Sequence, residues 1–147
     1  MKVEYNNLYT HFIFTTYHRE AVIPERNRER IEKFISGVVR NYDCKIYAIY
    51  ANPEHLHFLV SRAPNISEEF LADMVEKSTT KFINENKLVK GRFSWQSSCS
   101  AFSVSKGNVD RVCKYILNQP EHHKTTTFKE EYEKFIKHYE KTIRPIR

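Results

Sequence analysis

The feature that most narrows what this chain can fold into is the switching of its hydrophobic period, because a side-chain repeat of two belongs to a strand and one of 3.6 to a helix. Residues 8–17, LYTHFIFTTY, are rich in β-branched and aromatic side chains and predict a strand. From Pro24, which suits a first helical turn, Ile31, Phe34, Ile35, Val38 and Val39 recur at helical spacing. Lys45–Ala51 and His55–Ser61 are two short strand-like runs separated by the turn-prone Asn52-Pro53, which signals a hairpin. Ser67 can cap a second helix with the apolar stripe Phe70, Leu71, Met74, Val75, Phe82 and Ile83, and Gly91 breaks that pattern. Residues 93–105 carry strand propensity. Ser105 can then cap a helix bearing Val109, Val112, Cys113, Ile116 and Leu117, which Pro120 should end or kink. Thr127 and Glu130 have capping-box spacing ahead of a last helix with Phe128, Phe135, Ile136 and Tyr139.

The resulting order is β-α-β-β-α-β followed by two helices. It matches the split βαβ, ferredoxin-like unit, an α+β fold whose antiparallel sheet carries helices on one face and leaves the other open. A chain of 147 residues accommodates one such domain, spanning 1–147, and 40% hydrophobic against 29% charged residues is a globular balance.

Composition removes several function classes. The three glycines, Gly37, Gly91 and Gly107, stand in neither GxxxxGK[ST] nor GxGxxG, so no phosphate-cradling loop for a nucleotide cofactor is expected. Cys44, Cys99 and Cys113 are odd in number and lack CxxC spacing, which argues against a disulfide framework or a thiolate zinc site. No apolar run approaches the roughly 20 residues needed to span a bilayer. The N-terminus MKVEYNNLYT lacks the order of a secretory signal, so a cytoplasmic location is expected. A formal charge of +6 favours a polyanionic partner.

Two constellations could carry chemistry. In His55-Leu56-His57, side chains two apart on a strand point the same way, so both imidazoles can converge on one ion while Leu56 and Phe58 face the other side. Two imidazoles leave positions open for a third ligand, water and substrate, as a catalytic metal requires. On the third helix, Asn108, Arg111, Tyr115, Gln119 and, past Pro120, His122 recur at three- and four-residue steps as a polar stripe, which is also what a solvated helix face looks like. The adjacent His122-His123 diverge by about 100° on a helix and read as DNA contact or structure rather than as one metal site.

Several separated motifs then agree with one family. His55-Leu56-His57 preceded by Asn52-Pro53-Glu54, Trp95-Gln96, Ala101-Phe102-Ser103-Val104-Ser105, and Tyr115-Ile116-Leu117-Asn118-Gln119 followed by His122-His123 and Thr127-Phe128 together resemble the IS200/IS605-type transposases of the HUH superfamily. The resemblance spans most of the chain, departing where Ser97-Ser98-Cys99 stand in place of a glycine and an aromatic. It implies a homodimer that acts on single-stranded DNA hairpin ends with Mg²⁺ or Mn²⁺. His55 and His57 would be metal ligands, Gln119 the third ligand and Tyr115 the nucleophile, with the tyrosine supplied to the partner's histidines. Asn108, Arg111, Lys114 and His122 are then candidates for DNA contact. A different class also fits the composition: a non-catalytic single-strand-binding module of the same fold, stacking bases on Phe12, Phe14 and Tyr17 of an open sheet. A phosphodiesterase with two HxT/HxS motifs lacks its second histidine motif here.

Overall fold

A computed structural model describes residues 1–143, with side chains through residue 138. The elements run β1 (Tyr9–Thr15), α1 (Glu25–Arg40), β2 (Lys45–Ala51), β3 (His55–Ser61), α2 (Glu68–Glu85), β4 (Ser100–Val104), α3 (Val109–Leu117), α4 (Gln119–His122) and α5 (Phe128–Ile143), with short 3₁₀ turns at Tyr17–Arg19 and Lys106–Asn108. They form two compact units, Met1–Leu117 and Asn118–Arg147.

In the first unit the four strands form one antiparallel sheet in the order β2-β3-β1-β4, the expected ferredoxin-like arrangement. Strand alternation sorts the side chains. Phe12, Phe14, Leu56, Phe58 and Val60 share a core with Ile31, Ile35 and Val39 of α1 and Leu71, Val75 and Ile83 of α2. Phe12 and Phe58 are stacked, with ring centroids 4.9 Å apart. Each such large apolar side chain contributes about 1.5–3 kcal/mol when fully buried. The opposite face is not open. Ala48 and Leu59 would leave apolar surface there, and Val109 and Ile116 of α3 cover it.

Other expectations shift for identifiable reasons. The strand anticipated over 93–105 shrinks to β4, with a single bridge from Trp95 to Thr16. Phe93 and Trp95 turn into the helix-side core instead. The Asn84 side chain satisfies the Phe93 backbone at both N–H (2.7 Å) and C=O (2.9 Å), and Trp95 Nε1 donates to Thr79 Oγ1 at 2.8 Å. Phe70, anticipated in the apolar stripe of α2, is exposed, as is Leu117 on α3. Ser67 caps α2 as expected, accepting from Phe70 N at 3.0 Å. Ser105 instead opens a 3₁₀ turn, its hydroxyl taken by the Asn108 amide at 2.9 Å rather than by a backbone N–H.

In the second unit, Pro120 lies in the single turn of α4, and Asn118 (φ −94°, ψ 13°) stands between α3 and α4 where a break was anticipated. Thr127 Oγ1 accepts from Glu130 N at 3.2 Å at the start of α5, half of a capping box, while the Glu130 carboxylate takes the Thr127 hydroxyl instead of its N–H. The Tyr139 side chain lies outside the described residues. Among the described residues no helix is long and apolar enough to cross a membrane.

Candidate active site

The histidine pair sits on β3 with its face set by the sheet register. Thr15 lies opposite His55 and Ile13 opposite His57, so both imidazoles share a face with Leu59 and turn toward α3. The hairpin is fixed from several sides. Asn52 N donates to His55 O at 2.8 Å, Thr16 N donates to Glu54 O at 3.0 Å, and Val22 N and Ile23 N both donate to Pro53 O. Both rings are fully buried, with centroids 4.9 Å apart.

Each ring has a partner on Nδ1. His55 Nδ1 lies 2.6 Å from Glu54 Oε1, and the Asn52 amide nitrogen approaches its Nε2 at 3.2 Å. A carboxylate can only accept and an amide nitrogen only donate, so this ring is held as the Nδ1–H tautomer, its Nε2 accepting from Asn52. His57 Nδ1 pairs with His11 Nε2 at 2.9 Å. This contact holds the His57 ring in place. Partners on the far nitrogen are what orient a metal-ligating imidazole and raise its basicity, so the donor set suits a divalent cation.

Tyr115 comes to this face on α3. Its ring centroid lies 5.8 Å from that of His57, at 90°, and 6.4 Å from that of His11. The helix is anchored by Val109 and Ile116, and Tyr115 itself is half-buried. Cys113, two residues earlier, is a poor competing nucleophile: burial pushes its thiol up, and Asp110 adds to this. Arg111 and Lys114 are exposed on the same helix, and Asn108 is exposed at its entry with its amide engaged by Ser105.

The remaining sequence candidates lie in the second unit. Gln119 is fully buried, donating through Nε2 to Glu131 Oε2 at 3.3 Å, with Oε1 2.8 Å from His123 Nε2. His122 Nε2 lies 3.0 Å from Glu131 Oε2, and His123 Nε2 lies 3.3 Å from the same oxygen. The adjacent histidines thus do converge, contrary to the divergence expected of neighbours on a helix. α4 ends at His122, and His123 has φ −78° and ψ −1°.

Sequence reasoning missed His11 and Glu131. His11 carries the parity of Thr15 and Ile13 on β1, but pairing it with His57 requires the strand register, which no local pattern supplies. Glu131 was masked by its neighbour: Glu130 occupies the capping position, and the next residue turns inward to 3% exposure. The aromatics of the binding-module reading divide: Phe12 and Phe14 are buried beneath α1 and α2, and Tyr17 alone is exposed.

A ferredoxin-like sheet whose central strand carries a histidine pair, faced by a helix-borne tyrosine, defines a class of protein before any name is attached to it. A family profile described as "Transposase IS200 like" matches residues 4–119, and the chain belongs to that transposase family. Solved structures agree on the fold. One, from Deinococcus radiodurans R1 and assigned to a transposase, superposes with a TM-score of 0.62 at 16% identity, covering 81% of this chain and 96% of that one. Another, a REP-associated tyrosine transposase bound to a REP hairpin, gives 0.61 at 16% identity over 84% of this chain and 72% of that one. A search of the curated proteins returned no significant match.

Proposed function

We propose that this transposase-family protein nicks and rejoins single-stranded DNA at hairpin ends of its own element, with Tyr115 as nucleophile. His55 and His57 would hold Mg²⁺ or Mn²⁺, with Gln119 as third ligand, and the active species is a homodimer. The observation that carries the reading is the Tyr115 ring 5.8 Å from the ring of His57, beside the buried His55–His57 pair. The hairpin bound to the REP-associated transposase of the same fold supports the substrate class.

The Tyr115 oxygen attacks the scissile phosphorus, and the P–O3′ bond breaks. The products are a 5′-phosphotyrosine and a free 3′-OH, which takes up a proton. Attack of another 3′-OH on that phosphotyrosine restores a DNA phosphodiester and releases the phenol, so bond count is conserved and no nucleotide cofactor is needed. A phenol with an ordinary pKa near 10 is a weak nucleophile at neutral pH. A bound divalent cation supplies what is lacking, favouring phenolate and screening charge on the phosphate oxygens. Exposed Arg111 and Lys114, with Asn108 and His122, are the groups proposed to contact the DNA backbone.

The test is incubation with single-stranded DNA from the flanks of its own gene, with and without Mg²⁺, followed by a denaturing gel. Wild type should give a metal-dependent covalent adduct. Tyr115→Phe should give none while keeping its melting temperature and DNA affinity, because only the nucleophilic oxygen is lost. Cleavage by Tyr115→Phe at the wild-type level would reject the assignment.

A further inference from the structure

The turn that follows β1 holds a backbone strain with no role in the chemistry above. His18 (φ 56°, ψ 19°) and Arg19 (φ 55°) are consecutive left-handed residues, a conformation that side chains other than glycine avoid. Such backbone persists only where its surroundings over-determine it. Here they do. The hydroxyl of buried Thr16 reaches Glu20 O at 2.7 Å and Glu54 O at 3.1 Å. Thr16 N donates to Glu54 O at 3.0 Å, Tyr17 N to Ser94 O at 3.0 Å and Arg19 N to Thr16 O at 2.9 Å.

What this fixed turn presents is aromatic. Tyr17 is 53% exposed, and its ring centroid lies 3.9 Å from that of His18, at 63°. Neither side chain is buried. A ring already braced by its neighbour on a fixed backbone loses little freedom when a partner stacks on it. The position is informative too. Thr15, two residues earlier, is paired with His55, and Glu54, whose carbonyl anchors Thr16, also holds His55 Nδ1 at 2.6 Å. The turn thus leaves the sheet at its His55 end, in the same unit as the histidine pair and Tyr115. The formal charges of Arg19 and Glu20 cancel, so the turn offers stacking rather than a phosphate clamp. The face of a base is open to a protein ring where the strand is unpaired.

We propose that Tyr17, braced by His18, is a stacking platform for an unpaired base of the single-stranded DNA, near the phosphodiester that Tyr115 attacks. The assignment rests on the proposed single-strand chemistry and goes beyond it by naming where a base beside the cleaved bond is held. Because every base has a π-face, the platform adds affinity without sequence preference.

The experiment measures binding of the full chain, without divalent metal, to fluorescein-labelled single-stranded DNA from the flanks of its own gene, by anisotropy. Tyr17→Ala should weaken binding roughly 5- to 100-fold, the loss typical of one stacked base, with the melting temperature unchanged because no core contact is removed. That loss should be the same at low and high salt, since stacking releases no counterion. Tyr17→Phe and Tyr17→Trp keep an aromatic ring and should keep the affinity. Fluorescence of the Tyr17→Trp chain should be quenched by the DNA beyond the Trp95 background that wild type supplies. Equal affinity of Tyr17→Ala and wild type overturns the proposal, and so does a loss in Tyr17→Phe as large as in Tyr17→Ala. Failure of the underlying chemistry reads differently: the covalent adduct is then missing from wild type, while the Tyr17→Ala loss of affinity stands on its own. A wild-type chain that binds no single strand overturns both.

Discussion

At the residue scale, His11 is the side chain through which the sheet acts on the candidate site. Its Nε2 lies 2.9 Å from His57 Nδ1 in a buried setting, so it helps to hold the orientation of the His57 ring. His11→Ala should raise the Mn²⁺ dissociation constant by about 10- to 100-fold, the usual cost of losing an outer-shell partner, and His11→Gln should recover part of it by restoring a hydrogen-bond partner. Isothermal titration of both variants reads this directly, and an unchanged constant in His11→Ala would remove His11 from the site. This contact also marks how far the sequence was legible. His55 and His57 could be placed on one face from strand parity alone, and Tyr115 from helical spacing. That His11 and Glu131 join such groups depends on register and on inward rotation, which are properties of tertiary structure.

At the element scale, α1 and α2 each bury one polar group whose partners can be tested. Thr79 on α2 is fully buried, accepts from Trp95 Nε1 at 2.8 Å and donates to Val75 O at 2.6 Å. Thr79→Val preserves shape but strands the indole N–H, and should cost about 1–3 kcal/mol, read as a lower denaturation midpoint. Glu32 on α1 accepts from Ala51 N at 2.9 Å and from Arg28. Burial nevertheless outweighs the Ala51 and Arg28 contacts and pushes its carboxyl above the ordinary value of 4.5. A raised value in the folded state means that this group's contribution is fully present below pH 4.5 and is lost as pH rises through the folded value. Melting temperatures of Glu32→Gln relative to wild type should therefore improve between pH 4.5 and 7; a difference independent of pH would refute this. The helices themselves were readable from period and caps. The segment 93–99 was not, because Asn84 and Thr79 supply hydrogen bonds that a strand neighbour would otherwise have given.

At the scale of the whole molecule, the tyrosine and the histidine pair lie in one chain and one unit, where family resemblance led us to expect the tyrosine to serve a partner. With the Tyr115 ring 5.8 Å from that of His57 in the same chain, the proposed chemistry would need no tyrosine from a partner. A mixture of His57→Ala and Tyr115→Phe chains, shown to exchange subunits, should then stay inactive, since every site keeps one defect; recovery of cleavage would show that a partner supplies the tyrosine. The burial of β3 has a kinetic corollary. From His55 to Val60 every residue of the strand is closed to solvent. An ion held there cannot be pulled off by a chelator acting from outside, so its loss waits for a spontaneous opening of the protein. The rate of metal removal by EDTA should accordingly level off as EDTA is raised, and the plateau should report the breathing frequency of the fold around its histidine strand.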